Sequence, residues 1–495
     1  PLSPLLYFEA HKNFEPFSPI LKDENNEELF IKENITFEEY KKAIEKIKDY
    51  ISKGATYEVN YTFSNDVFTS LSGFELFNQL LKNQKTEYCA YINNEFNEIL
   101  SFSPELFFKI ENNKITTKPM KGTVKRKGNS DKEEIAFLKN DPKNLSENTM
   151  IVDLLRNDLS KIKGSKNITV EKLFEVETHK TLHQMTSTIS AELEEINFLD
   201  IFSCLFPCGS ITGAPKISTM EVIDEIENYK RNVYCGAIGL IHKNDCNFSV
   251  PIRILERNKN EKKFLFSQGG AIVWKSDIVD EFEECRVKKL FLGKNLDFKL
   301  IETILIKNNQ PQLYFEHIKR LQNSAKYFGF EFNKKLYNLN FENNKIARIE
   351  LSKDGNFEIN YREIDEIKTR KVLVSKTKVN SNNPFLFHKT TYRPWFNKAY
   401  EKIKNGEIFD MIFLNEKNEL TEGARSNIIL KIKDNYYTPS ITSGLLKGTF
   451  LKNFSKENKI IEKPLFLDDL KKADKVFLCN SIRGLVQVEV EDLNQ

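Results

Sequence analysis

No stretch of this 495-residue chain approaches the roughly 18 to 20 consecutive apolar residues that a membrane-spanning helix needs. An excess of one charge is missing too. The 74 Lys and Arg nearly cancel the 71 Asp and Glu, and a net +3 makes no basic field for nucleic acid. Seven cysteines (Cys89, Cys204, Cys208, Cys235, Cys246, Cys285 and Cys479) are odd in number and scattered, which suits reduced thiols better than a disulfide framework. Cys204 and Cys208 are spaced for one helical turn, yet no Cys/His pair completes a zinc site. Internal repeats and low-complexity linkers are absent. The opening PLSPLLYFEA lacks the charged start and apolar core of a secretory signal. These absences predict a cytoplasmic protein that engages neither membrane nor nucleic acid. A composition of 40% hydrophobic and 29% charged residues supports real cores, and the length predicts two or three domains.

Residues 36–53 predict a helix. Thr36 is a candidate N-cap with Glu39 three residues on, Tyr40, Ala43, Ile44, Ile47 and Ile51 follow helical spacing, and Gly54 ends it. YEVNYTF reads as a strand, and ELFFKI with KITTKPM as a hairpin closed near Asn112-Asn113. Strand-like segments return at 233–242, 248–256 and 263–267, and a helix at 277–292 stops at Gly293. After it the pattern restarts with a strand in FKLIETILI and a helix in EHIKRLQNSAKYFG. Strands and helices mix without regular alternation, which predicts an α+β fold with large antiparallel sheets. The expected domains are a short N-terminal segment at 1–35, a first domain at 36–293 and a second at 297–495.

Five segments carry chemistry in the first domain: SPELFF at 103–108, KPMKGT at 118–123, ENTMIVDLLRNDL at 147–159, GSITGAPK at 209–216 and DEFEECRVKK at 280–289. Singly each is modest. Glu105 alone reads equally as a surface carboxylate, and GSITGAPK as any turn entering a helix. Its glycines would let backbone N–H groups approach an anion. In this order the five resemble the chorismate-utilising family of anthranilate, aminodeoxychorismate, isochorismate and salicylate synthases, over about 36–292. The resemblance implies chorismate as substrate and Mg²⁺ as metal, with Glu147 and Glu284 as its carboxylates and Glu281 as a helper. It implies substrate-carboxylate binding by Gly209, Ser210, Thr212 and Gly213. Arg253 fits a bidentate carboxylate clamp, with a plain ion pair as the alternative, and Tyr234 is a candidate donor to the same group. The resemblance implies that His183 is the active-site histidine, with His179 incidental.

Lys121 selects among these. The PMKGT segment is similar to the PIKGT of aminodeoxychorismate synthases, where anthranilate synthases usually have alanine. The resemblance implies that Lys121 attacks the ring as a nucleophile while Glu105 protonates the departing hydroxyl. Attack needs a neutral amine, so burial or a nearby cation is expected to lower its pKa. The bland alternative is a solvated lysine among Lys118, Lys125 and Lys127. Two departures stand out: Glu58 replaces the glutamine of the usual YQVN, and Asn144 stands where a second acid is common. No GxCxG nucleophile segment is present, so ammonia is expected from a separate glutamine amidotransferase subunit. The N-terminal extension is shorter than the one relatives use to bind tryptophan.

The second domain shows HKTTYRP at 388–394, LTEGARSNI at 420–428 and SGLLKGTF at 443–450. These resemble the fold-type IV pyridoxal-phosphate enzymes. The resemblance implies Lys389 as the lysine that holds the cofactor aldehyde and Glu422 as the carboxylate at its pyridine nitrogen. Arg320, Asn427, Gly448 and Thr449 would be the phosphate donors; the bland alternatives are an Arg320 that pairs with an acidic neighbour and a chance lysine at 389 in a lysine-rich region. Ile429, where an aromatic is common, and Leu451, where a base is common, depart from the pattern. Taken together, the halves predict 4-aminobenzoate synthesis from chorismate, by amination and then pyruvate elimination, with a homodimer through the second domain. The competing expectation is an anthranilate- or salicylate-type synthase followed by an aminotransferase or a non-catalytic scaffold.

Overall fold

Thr36 opens the first long helix as its sequence predicts. The helix runs Phe37–Ser52 in the computed structural model, with both bonds of the Thr36/Glu39 capping box formed and Tyr40, Ile44 and Ile47 buried. Gly54 follows with φ +72°, a left-handed conformation that stops the helix at little cost. The structure describes residues 6–13, 15, 27–84, 86–126, 131–178 and 182–491; Lys127 and His179 lie outside them. The chain forms two compact units. Unit 1 takes in Glu33–Val67 and Gly73–Lys294, and unit 2 takes in Asn295 onward together with Glu27–Lys32 and Phe68–Ser72. The sequence reading puts the first of those stretches in the N-terminal segment 1–35 and the second in the domain 36–293.

Unit 1 holds two antiparallel sheets. One contains strands in the order Tyr88–Asn93, Asn97–Ser103, Ile254–Asn258, Phe264–Val273 and Glu58–Phe68, with the short strand Gly213–Ala214 on the last. The other runs Ile238–His242, Asp245–Val250, Glu105–Glu111, Lys114–Lys118, Leu182–Leu193 and Met120–Lys125, and Ser165–Thr178 also pairs with Leu182–Leu193. Every residue of Glu58–Phe68 is buried. Strand alternation puts Val59, Tyr61 and Phe63 with Tyr40, Ile44 and Phe282 in one apolar cluster, and turns Glu58, Asn60 and Thr62 to the opposite side. There Asn60 Nδ2 donates to the Ile211 carbonyl at 2.9 Å. One strand thus carries core on one face and site on the other.

The predicted hairpin is present. Glu105–Glu111 and Lys114–Lys118 pair around Asn112 (φ 52°) and Asn113 (φ 59°), the two positive φ values of a type I′ turn. The stretch 233–242 is strand only over Ile238–His242, because Asn232 and Cys235 adopt positive φ and turn the chain. The long pair Ser165–Thr178 and Leu182–Leu193 has no counterpart in the sequence reading, and the first of these strands lies largely exposed.

Unit 2 has a four-stranded sheet (Gln310–Pro311, Leu300–Lys307, Ile346–Leu351, Phe357–Arg362) and a mixed eight-stranded one. Helix Tyr314–Phe328 ends at Gly329 with φ +73° and buries Ile318, Leu321, Ala325 and Phe328. Those residues join Phe30, Phe68, Phe298 and Phe385 in a single apolar core. The molecule is α+β with large antiparallel sheets, and among the described residues no helix is long and apolar enough to cross a membrane.

Candidate functional site

Lys121 lies on strand Met120–Lys125 at a register shift, followed by Gly122 with φ +89°. Its Nζ donates to Glu58 Oε1 at 2.7 Å, with Lys121 9% exposed and Glu58 fully buried. Glu58 Oε2 has no hydrogen-bond partner. Burial pulls the Lys121 ammonium down, but the Glu58, Glu147 and Glu105 carboxylates outweigh it and leave the pKa raised. That is opposite to the lowering expected from sequence, and Glu58 is the main reason. Glu105, buried on strand Glu105–Glu111 of the same sheet, accepts from Ser210 Oγ at 2.6 Å. Burial pushes its carboxyl up to about 7, with the Ser210 bond and Lys121 opposing. A carboxyl poised there can donate a proton near neutrality.

The GSITGAPK glycines are explained by packing. A Cβ on Gly209 would lie 2.4 Å from Leu154 Cδ2, and one on Gly213 (φ +137°) 1.9 Å from the Glu58 carbonyl oxygen. Thr212 Oγ1 donates to the Cys208 carbonyl at 3.1 Å, so that hydroxyl is engaged within its own loop. Arg253 is half-buried, and desolvation brings its guanidinium down to about 10. Tyr234 is buried, which drives its phenol well above the ordinary value.

Glu147 projects from helix Pro142–Ser160, and Glu281 and Glu284 lie three apart on helix Ile278–Lys288. Glu281 is buried, whereas Glu284 is exposed and pairs with Lys288 at 2.9 Å. An all-carboxylate set suits a hard dication. The one trio of metal-ligand atoms drawn within 4.8 Å among the described residues is a different one, Asp131, Glu134 and His183. His183 is fully buried, with Nδ1 3.0 Å from Thr178 Oγ1 and Nε2 3.3 Å from Asp131 Oδ1. Arg126 already forks onto Asp131 through Nε and Nη2. Asn144, the other departure, sits beside Gly122, whose Cβ position is 3.0 Å from the amide carbon.

In unit 2, Lys389, Glu422, Arg320, Asn427 and Thr449 all line one cavity of about 450 Å³. Burial, then Arg393 and Arg320, lower the Lys389 amine to about 7, the direction a carbonyl-binding lysine needs. Glu422 is buried and raised by desolvation to about 7, with Arg393 opposing from 3.5 Å. Arg320 is forked by Glu302 (2.8 and 2.7 Å), which also holds His317 at 2.6 Å. His317 Nε2 in turn lies 3.3 Å from Thr449 Oγ1. Thr449 begins helix Thr449–Glu457 and lines the same cavity as Arg320; the first N–H groups of a helix have no partner within it and suit an anion. Asn427 Nδ2 donates to the Leu446 carbonyl at 2.7 Å and Oδ1 accepts from the Gly448 amide at 3.1 Å; it shapes the loop rather than facing the cavity with free donors. Arg393, Glu302 and His317 were missed in sequence. Only Arg393 had a local signal, four residues after Lys389 inside HKTTYRP.

Residues 8–292 match the model of the chorismate binding enzyme family, and residues 299–490 that of amino-transferase class IV. Aminodeoxychorismate synthase component 1 of Escherichia coli (strain K12) is 36% identical over 255 residues, covering 51% of this chain and 56% of that protein. The Bacillus subtilis (strain 168) protein of the same name is 31% identical over 269 residues, covering 53% and 57%. This chain therefore spans little more than half the length of the curated relatives it matches. Anthranilate synthase component I from Streptococcus pneumoniae TIGR4 superposes with a TM-score of 0.50 at 27% identity, covering 55% of this chain and 61% of that one. With its first half matched end to end and an aminotransferase-type domain following, the chain belongs to the chorismate binding enzyme family.

Proposed function

We propose that the first half replaces the ring hydroxyl of chorismate with an amine to give 4-amino-4-deoxychorismate, and that the second half removes pyruvate to leave 4-aminobenzoate. The observation that carries this reading is Lys121, a lysine inside the PMKGT motif, buried among Glu58, Glu105 and Glu147. Lys121, once neutral, attacks the conjugated ring as the hydroxyl departs. Glu105 supplies the proton that turns the leaving group into water. Ammonia, delivered by a separate glutamine amidotransferase, then displaces the lysine. Arg253, Tyr234 and the 209–213 loop are assigned to the substrate carboxylates. Glu147, Glu281 and Glu284 would hold Mg²⁺, which neutralises carboxylate charge when bound.

In the second half, pyridoxal 5′-phosphate would lie in the cavity with its phosphate at Arg320 and Thr449 and its ring nitrogen at Glu422. When bound it supplies an electron sink. Lys389, its amine lowered to about 7 and so partly unprotonated near neutrality, removes the ring C4 proton of the substrate, and Glu422 is assigned to the ring nitrogen. The elimination needs an amine on the ring, which the first half makes; this link rests on the two domains sharing one chain.

The test incubates the protein with chorismate, Mg²⁺, ammonium salt and pyridoxal phosphate, and identifies products by mass. Expected are 4-aminobenzoate and one pyruvate per ring. Anthranilate or salicylate as the aromatic product would overturn the first assignment. A protein that develops no absorbance band with added cofactor would overturn the second and leave a scaffold.

A further inference from the structure

The cavity of unit 2 carries more positive charge than the roles assigned so far use. Seven of its lining side chains are Lys or Arg, and among the described residues Glu422 is its single carboxylate. Arg320 is forked by Glu302, Arg393 faces Glu422, and Lys389 is assigned to chemistry. Arg348, Arg362, Arg425 and Arg483 remain, and all four line the cavity.

They converge from separate elements. Arg348 and Arg362 lie on paired strands, where Ile346 is opposite Arg362, so the two share a face as diagonal neighbours. Arg425 follows strand Leu420–Gly423, and Arg483 occupies the turn between Lys475–Asn480 and Gly484–Val490. Each guanidinium is anchored on one side. Arg348 Nε donates to Glu350 at 2.8 Å, and Arg362 Nη1 to Asp365 Oδ2 at 2.6 Å. Arg483 donates to the Asp365 carbonyl, and its backbone amide is tied to Asn480 Oδ1 at 2.9 Å. Arg425 Nη2 donates to the Phe409 carbonyl at 2.9 Å, its guanidinium 5.6 Å from the Phe409 ring. Five N–H donors per guanidinium leave several for a ligand. Like charges held this close repel: burial, then Arg483 and Arg362, push the Arg425 guanidinium down against the pull of Asp410. An anionic ligand relieves that repulsion.

We infer that these four arginines form a carboxylate-binding mouth that selects a dianionic amine, and that chorismate itself is a ligand of unit 2. The inference rests on the lyase reading, since chorismate has the two carboxylates of the proposed lyase substrate but no amine to react. An ordinary monocarboxylate amino acid would engage only part of the cluster.

The test uses the full chain loaded with pyridoxal phosphate, without Mg²⁺ or ammonia, so that chorismate is not consumed. Pyruvate release from supplied aminodeoxychorismate is measured against added chorismate, and the cofactor absorbance band is followed during a chorismate titration. Retention of that band also reports that each variant is folded. Expected are competitive inhibition, a band shift, and in Arg425→Gln and Arg483→Gln a rise of about tenfold or more in both KM and the chorismate inhibition constant. Arg425→Lys, which keeps the charge and loses the fork, should fall between. Alanine of either hand should be a poor substrate. Unchanged KM and inhibition constants in the glutamine variants, or alanine turned over as well as the dianion, would overturn the inference while leaving the lyase reading in place. A wild type whose band shifts with chorismate, with no pyruvate from any substrate, would sink the lyase reading and leave the binding site standing.

Discussion

Lys121 and Lys389 are the same side chain in opposite electrostatic settings. Both are desolvated, which favours the neutral amine; cations surround Lys389, and carboxylates surround Lys121. Glu58 makes the difference at Lys121, so Glu58→Gln should move the acid limb of its reaction to lower pH. The readout is the mass adduct formed with chorismate and Mg²⁺ in the absence of ammonia. Lys121→Ala should show no adduct at any pH, and a limb that stays put in Glu58→Gln would exonerate Glu58. Glu105 makes a second pH argument, through stability. Its carboxyl is raised from 4.5 to about 7, so its contribution is full below about 4.5 and lost as pH rises through about 7. The loss is about 3 kcal/mol at most. Urea unfolding at pH 5 and pH 8 should therefore show wild type losing ground to Glu105→Gln at the higher pH. A parallel loss in both proteins would mean the carboxyl is not desolvated in solution.

Elements explain what sequence could and could not reveal. The Thr36–Glu39 box and the Asn112-Asn113 turn were legible because local chemistry alone specifies them. The five motifs of the first half and the three of the second were legible as ordered strings, and they led to Lys121, Glu105, Lys389 and Glu422. What stayed hidden depends on strands distant in sequence. Glu58 meets Lys121 across 63 residues, and Glu302 reaches Arg320 across 18. The hairpin Ser165–Thr178 with Leu182–Leu193 carries too little apolar alternation on its exposed strand to announce itself. Gly213 belongs to this scale, because its strand pairs with Glu58 and Val59. Gly213→Ala would press a Cβ onto the Glu58 carbonyl in a backbone conformation that L residues rarely adopt. The chorismate step should fall by orders of magnitude, while pyruvate release from supplied aminodeoxychorismate stays near normal. Equal loss of both would mean that the substitution unfolds the whole chain.

For the whole molecule, the proposed chemistries divide cleanly between the units. Lys389→Ala should consume chorismate and ammonia at close to the normal rate, accumulate aminodeoxychorismate and release almost no pyruvate. Lys121→Ala should do the reverse, with little turnover of chorismate but 4-aminobenzoate from supplied intermediate. Mixing the two variants should restore 4-aminobenzoate after a lag if the intermediate diffuses between molecules. Full production by Lys389→Ala alone would remove that lysine from the mechanism.

Folding does not divide where the chemistry does. Phe30 and Phe68 are encoded in the first half, yet they fill the core around Phe298 and Phe328. Cutting the chain before Asn295 would therefore give a downstream polypeptide with two aromatic plugs missing from its interior. Point substitutions can therefore silence one unit at a time, whereas a single cut between the units also strips the second of part of its interior.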